Sequence, residues 1–365
     1  MTEDDRRFMA LALTLGQRGA GRTWPNPAVG CVIVQGTRIV GRGWTQPGGR
    51  PHAEVRALQQ AGPAAKGATA YVSLEPCAHH GHTPPCADAL IAAGVARVVT
   101  ALTDPDPRVS GKGHAMLRAA GIAVTEGVLT AQATAANAGF LKRVTEGLPW
   151  ITLKLATTID GRIATASGES RWITGPQARR ATHALRLAHD AVMVGSGTAR
   201  ADDPDLTVRG LGASHQPVRI VIDSRLGHAA QSRLGLTAGQ HPVWLCHTDA
   251  APDPARAAWA ATGASLIRCA ATPDGHTDLR AALQSLAARG LTRILCEGGA
   301  QLAAALIREN LADELAHFTA GALIGAEGNA AIGPLGLATL SAAPRLRRLA
   351  NEAVGEDTLT RWAFR

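Results

Sequence analysis

The feature that most constrains this chain is an alternation of short apolar runs and helix-like stretches that starts, stops and starts again. AVGCVIVQGTRIVGRGW (28–44) reads as a β-hairpin about the turn Gln35-Gly36-Thr37-Arg38. HAEVRALQQAG (52–62) reads as a helix with a glycine stop, ATAYVSLEP (68–76) as a buried strand and CADALIAAG (86–94) as a second helix. VARVVTALTD (95–104) is a strand, GHAMLRAAG (113–121) a helix and IAVTEG (122–127) a short strand. An opening helix (3–18) sets Phe8, Leu11, Ala12 and Leu15 on one face, and a short helix (131–140) closes the set. LKRVTEGLPW (141–150), broken by Gly147 and Pro149, reads as a linker. The pattern restarts at ITLKLATTIDG (151–161), with strands at 190–196, 218–224, 243–248 and 292–298 and helices at 176–188, 278–289 and 300–310. The Gly-, Ala- and Pro-rich stretch 250–265 receives no element, and the two halves share no internal repeat. Strands and helices in turn build a sheet with helices on its faces. The expectation is two α/β domains, 1–146 and 147–365, in a chain whose 365 residues exceed the ~100–200 of one domain.

Composition narrows the function. With 46% apolar and 18% charged residues the chain is not mainly disordered. No run approaches the ~18 uninterrupted apolar residues of a membrane helix. The opening MTEDDRRFMALALTLGQRG carries acids first and no small-residue cleavage site, so it does not read as a secretory signal, and a cytoplasmic protein is expected. The net charge of +8 is spread mildly over both halves, no basic run occurs, and aromatics for base stacking make up only 3%. That balance suits an anionic small substrate better than nucleic acid. The six cysteines, Cys31, Cys77, Cys86, Cys246, Cys269 and Cys296, read as buried thiols or metal ligands and not as a disulfide framework. Cys31, in mid-strand, belongs to the core.

Two of these cysteines carry chemistry. His52-Ala53-Glu54 opens a helix, Pro76-Cys77 ends a strand, and Cys86 starts the next helix. One imidazole and two thiolates leave the fourth position of a tetrahedral zinc to water, as catalytic sites do. Helix N-termini favour the thiolate form. Zinc lowers the pKa of its water towards ~7, and Glu54, itself no ligand, is placed to carry the proton. This is the H-x-E…P-C-x-x-C pattern of zinc deaminases with a longer gap, since eight residues (AHHGHTPP) separate the cysteines. Two plainer readings stand beside it. Cys77 and Cys86 could be ordinary buried thiols with His52 as a helix cap, or a structural site could recruit His79, His80 or His82 as fourth ligand.

The second half is less explicit. Cys296-Glu297-Gly298-Gly299 joins a strand to a helix, where a phosphate or dinucleotide can bind or a tight turn can simply pass. Arg186 and Arg209 could grip a phosphate with two parallel hydrogen bonds, although most arginines only face water.

PNPAVGCVIV (25–34), PHAEVRAL (51–58), GATAYVSLEPCAHHGHTPPC (67–86) and ALIAAGVARVV (89–99) resemble the deaminase half of the bifunctional riboflavin-biosynthesis deaminase–reductase family. KLATTIDGRIA (154–164), SGESRWITGPQAR (167–179), ADDPDLTVR (201–209) and RIVIDS (219–224) resemble its reductase half. The resemblance spans nearly the whole chain and includes the longer cysteine gap. It implies a cytidine-deaminase-like three-layer α/β/α sandwich followed by a dihydrofolate-reductase-like α/β domain. It implies one zinc per chain on His52, Cys77 and Cys86, Glu54 as proton shuttle, and Asn26 as a contact to the substrate base. NADPH contacts are implied at Ala156, Trp172, Thr198, Asp202, Ser224 and Gly299, and substrate contacts at Ser170, Arg186, Leu206, Arg209 and Glu297. Lys154 and Asp160 lie in the same signature without an assigned role. The implied activity is hydrolytic deamination of a phosphoribosylated diaminopyrimidine, then NADPH reduction of its ribosyl group, by a cytoplasmic homo-oligomer (dimer or tetramer) that engages neither nucleic acid nor membrane. The family usually has histidine where this chain has Thr45, which leaves one pocket contact open. The alternative is a tRNA-editing zinc deaminase with an RNA-binding C-terminal domain.

Overall fold

The computed structural model describes residues 2–79 and 84–364, and the chain divides into two compact units, Met1–Gly147 and Leu148–Arg365. The first unit runs α1 (Glu3–Gly16), β1 (Gly30–Gln35), β2 (Arg38–Trp44), α2 (Ala53–Ala61), β3 (Thr69–Val72), α3 (Cys86–Ala92), β4 (Arg97–Thr100), α4 (Lys112–Ala119), β5 (Ala123–Thr125), α5 (Thr130–Ala136) and α6 (Ala138–Glu146). Its sheet has the order β2-β1-β3-β4-β5, with the hairpin strands β1 and β2 antiparallel and β3, β4 and β5 parallel. Alternate residues of each strand enter different cores, as a period of two requires. Cys31, Ile33, Ala70, Val72 and Val98 pack with Ala57, Leu90, Leu117 and Phe140 on one side. Val32, Val34, Tyr71 and Val99 pack with Phe8, Met9, Ala12 and Ala133 on the other. This is the three-layer sandwich, and Cys31 lies fully buried in its core.

Asp5 ties α1 to the sheet. Its carboxylate accepts two hydrogen bonds from Arg97 (2.8 and 3.0 Å) and one from the Tyr71 hydroxyl (3.2 Å). The Arg97 guanidinium holds the Asp5 pKa down to about 2.

The expected linker 141–150 is corrected by the structure: helix α6 runs through it to Glu146 and buries Phe140, ending at Gly147 in a left-handed conformation (φ 69°). Glycine at that point is a helix stop. Strand pairing resumes at Trp150, leaving only 147–149 between elements.

The second unit contains β6 (Trp150–Thr158), β7 (Arg162–Ala164), α7 (Pro176–Leu187), β8 (Ala191–Gly195), α8 (Ser196–Asp202), β9 (Val218–Ile222), α9 (Arg233–Leu236) and β10 (Val243–His247). It continues through α10 (Asp253–Ala261), β11 (Ser265–Arg268), α11 (Leu279–Ala288), β12 (Arg293–Gly298), α12 (Ala300–Arg308), β13 (Glu314–Ala320), β14 (Asn329–Ala330), β15 (Arg347–Val354) and β16 (Asp357–Ala363). Nine strands form one sheet in the order β11-β10-β9-β8-β12-β6-β13-β16-β15, parallel from β11 to β13 and antiparallel at the β16–β15 edge. Chain order turns back between β8 and β12. Crevices outside the carboxyl ends of strands at such a reversal are where α/β sheets receive ligands. The unassigned stretch 250–265 contains α10, which buries Trp259. No helix among the described residues is long and apolar enough to cross a membrane.

Candidate active site

In the first unit, three side chains converge from successive strand-to-helix connections. His52 is the N-cap residue of α2 and Cys86 is the first residue of α3, while Cys77 sits on irregular chain after β3. His52 Nδ1 lies 3.3 Å from Cys86 Sγ and 3.7 Å from Cys77 Sγ. The Cys86 amide donates to Cys77 Sγ (3.3 Å). All three donor atoms lie within 4.8 Å of one another. A tetrahedral ion with bonds of ~2.3 Å to sulfur and ~2.05 Å to nitrogen needs N···S separations of about 3.6 Å. The donor set therefore fits zinc in both size and chemistry. The Cys77 thiol is held down to about 4, chiefly by the hydrogen bond from Cys86, with His52 and the Cys86 amide adding to it. The same bond pushes the Cys86 thiol up, so the two sulfurs share one proton that a bound metal would displace.

His79 lines the adjoining cavity but does not join this three-donor cluster; His80 and His82 fall outside the described residues. Among the described residues the set stops at three, as an open catalytic site does.

Glu54, in the first turn of α2, is 3% exposed. Burial raises its carboxyl pKa, the change that suits a group that must both take and give a proton. It opens on a cavity of about 310 Å³ that His52, Cys77, Asn26 and Thr45 also line. Asn26 Nδ2 donates to the Gly49 carbonyl (2.9 Å), which holds the side chain at the wall. The Thr45 hydroxyl accepts from the Val29 amide (3.0 Å), so this residue ties the loop after β2 to the start of β1.

The motif reading passed over Asp104 in the same wall. Its carboxyl accepts from the Asp106 amide (2.9 Å), and burial raises its pKa to about 6. The only sequence trace of it is the Asp-Pro-Asp-Pro turn, which reads as an ordinary loop.

In the second unit the sequence candidates divide. Arg186 on α7 and Glu297 on β12 form a half-buried two-pronged ion pair (Nε–Oε1 2.5 Å, Nη2–Oε2 2.8 Å), their side chains 11% and 9% exposed, and Arg186 Nη1 donates to the Thr207 carbonyl (2.7 Å). The fork expected to be open for phosphate is thus engaged by Glu297. Burial alone would raise Glu297, but Arg186 outweighs it and holds the carboxyl below its ordinary value. Lys154, on β6, has its ammonium pKa lowered by burial, with Glu297 opposing the shift.

Thr198 and Gly299 meet at the β8/β12 reversal: a Cβ on Gly299 (φ 97°) would stand 3.0 Å from Thr198 Oγ1. Ser224 follows β9, its hydroxyl bonded to Thr277 (3.0 Å), and Ala156 is half-buried on β6. Leu206 takes a left-handed conformation (φ 57°) and is buried as a whole residue, 2% exposed. Arg209 is exposed and pairs with Asp205 (2.7 Å), while its amide donates to His183 Nδ1 (3.2 Å). Trp172 is 70% exposed under the Arg179 guanidinium. Ser170 is half-buried in the loop before α7, and Asp202 ends α8, its carbonyl accepting from Arg171 (3.1 Å).

A family profile described as "Cytidine and deoxycytidylate deaminase zinc-binding region" matches residues 2–102, and one described as "RibD C-terminal domain" matches residues 149–360. The riboflavin biosynthesis protein RibD of Escherichia coli (strain K12) is 45% identical over 367 residues, covering 97% of each chain. The chain belongs to the RibD family. The solved structure of Acinetobacter baumannii RibD (form 2) superposes with a TM-score of 0.88 at 38% identity, covering 100% of this chain and 99% of that one. A Thermotoga maritima structure described as a diaminohydroxyphosphoribosylaminopyrimidine deaminase/5-amino-6-(5-phosphoribosylamino)uracil reductase gives 0.86 at 32% identity, covering 99% of each chain. This RibD chain is a bifunctional deaminase and reductase of riboflavin biosynthesis. The two units are the deaminase sandwich and the dihydrofolate-reductase-like reductase fold. RibD relatives span both halves, so the tRNA-editing alternative is not favoured.

Proposed function

We propose that the first unit deaminates 2,5-diamino-6-(5-phosphoribosylamino)pyrimidin-4(3H)-one and that the second reduces the ribosyl group of the resulting aminouracil to the ribityl phosphate. The observation that carries the first step is the convergence of His52, Cys77 and Cys86, with His52, Cys77 and buried Glu54 lining one cavity. Those three donors would hold one zinc per chain, which when bound would polarise a water and lower its pKa. Glu54 takes a proton as the water oxygen bonds to the amino-bearing carbon. It passes that proton to the ring nitrogen beside that carbon and then carries the second proton, released from the new hydroxyl, to the departing nitrogen, so that ammonia leaves and a carbonyl replaces the amine. Asn26 holds the base against the wall. NADPH supplies the hydride for the second step. In support of its seat there, Thr198 and Gly299 meet at the β8/β12 reversal, and Ser224 and Ala156 lie just after β9 and on β6, the strands that flank it. The proposed contacts extend to Trp172 and Asp202 for the cofactor, and to Ser170, Leu206, Arg209, Arg186 and Glu297 for the substrate.

The test is direct. Purified protein given the diaminopyrimidine without NADPH should release ammonia and accumulate the aminouracil, and adding NADPH should consume it. Ammonia release that requires NADPH would sink the two-step reading.

Arg186→Ala should weaken substrate capture by the reductase by about 2–4 kcal/mol, because it removes the guanidinium that holds Glu297, itself a proposed substrate contact, in place. It also strands Glu297 in a half-buried site, so thermal unfolding should report a loss of about 3 kcal/mol. Replacing both partners with apolar residues should restore the melting temperature but not substrate capture. NADPH affinity should stay close to that of the unaltered protein, and an equal loss of cofactor and substrate binding would assign Arg186 to the fold.

A further inference from the structure

Cys77 is the one zinc donor with no helix of its own. His52 and Cys86 are fixed at helix starts, but β3 ends at Val72 and the chain then runs irregularly through Glu75 and Pro76 to Cys77. A loop ligand needs outside support if the donor atoms are to hold positions to a few tenths of an ångström. The support is Glu75. Glu75 is buried, its side chain 0% exposed, and its carboxylate accepts four backbone hydrogen bonds. Oε1 accepts from the amides of Gly113 (2.9 Å) and His114 (3.3 Å), and Oε2 from those of Gly111 (2.9 Å) and Asp104 (3.1 Å). Three of these amides belong to the N-terminal turn of α4, where unpaired N–H groups and the helix dipole both favour a carboxylate.

The next residue is clamped by shape. Gly113 packs so closely that a Cβ there would lie 2.0 Å from the Pro76 carbonyl oxygen. Glu75 and Pro76 are thus locked, one by charge and one by contact, to the first turn of α4, and Cys77 follows immediately. On its far side the Cys77 carbonyl accepts from the Ala87 amide (3.2 Å), which ties the same residue to the first turn of α3. The fourth bond to Glu75 also fixes the amide of Asp104, a residue of the cavity wall.

We infer that Glu75 is a positioning residue of the deaminase: by caging the α4 amides it sets where Cys77 presents its sulfur and where Asp104 stands in the cavity. This inference rests on the reading of His52, Cys77 and Cys86 as zinc donors. Glu75→Gln is the sharpest variant, since it keeps the size but exchanges one acceptor oxygen for a donor that faces amide donors. In the full-length protein, competition with a chromophoric chelator should show zinc held on the order of 10–100-fold more weakly, the usual effect of removing support behind a ligand. With Co²⁺ in place of zinc, the visible ligand-field bands should shift, which a role confined to stability would not cause. Reductase turnover of supplied aminouracil should be unchanged. Circular dichroism at low and at saturating zinc separates the remaining cases: a first unit that stays unfolded at both would place Glu75 in the fold and overturn the inference. Wild-type zinc affinity with unshifted Co²⁺ bands would overturn it as well. If the unaltered protein itself held no zinc, the donor assignment would fail and not the role of Glu75 alone.

Discussion

Cys77→Ser and Cys86→Ser should each lose zinc and ammonia release together. Serine keeps the shape of the side chain but offers a hydroxyl that does not ionise near neutrality, where the thiol of Cys77 is already held down to about 4. Zinc held by four protein ligands binds with roughly 10–16 kcal/mol, so one ligand is worth about a quarter of that, or on the order of 10²–10³ in affinity. Among the described residues three protein donors converge, so losing one of them leaves two. Metal content of the purified variants is the decisive measurement, with ammonia release followed in parallel. Full metal content in both variants would remove these cysteines from the ligand set.

Glu54→Gln should separate metal binding from chemistry. The carboxyl is buried and no member of the three-donor cluster, so zinc should remain. An amide cannot relay a proton, and general acid–base catalysis is worth on the order of 10²–10⁴ in rate. Ammonia release should fall by at least that factor. The same variant, supplied with the deaminated aminouracil, should oxidise NADPH at close to the normal rate, because the reductase candidates all lie in the second unit. If reduction of the supplied intermediate also stopped, two independent sites would have to give way to an interlocked one.

The parts of the fold that could be read from the residues are those whose pattern is local. The strands β1, β3, β4, β8, β9, β10 and β12 are buried runs of branched residues between glycine or turn signals, and all fall within the expected spans. β15 could not be read that way: it is exposed along most of its length, so no period of two marks it. β13 alternates between buried and half-buried positions and is followed at once by Gly321, so both a period of two and a turn signal are present there. The stretch 141–150 misled for a different reason. A glycine that ends a helix and a glycine that opens a linker look alike in sequence, and only the packing of Phe140 into the core distinguishes them.

By itself the sequence determined the chemistry of the deaminase. His52 caps the helix whose first turn carries Glu54, and Cys77 and Cys86 flank the next strand-to-helix connection. The donor types and their places at strand and helix ends are therefore legible locally, while the meeting of imidazole and thiols across 34 positions is made by packing. Tertiary structure alone decided what surrounds that chemistry. Glu75 meets the amides of α4 across 36 to 39 positions, and Arg186 meets Glu297 across 111. No periodicity encodes such pairs, because they depend on which helix packs over which strand end. A carboxylate shielded from water takes whatever donors the packing brings to it, backbone amides for Glu75 and a guanidinium for Glu297, since leaving it without them would cost more than the fold can spare.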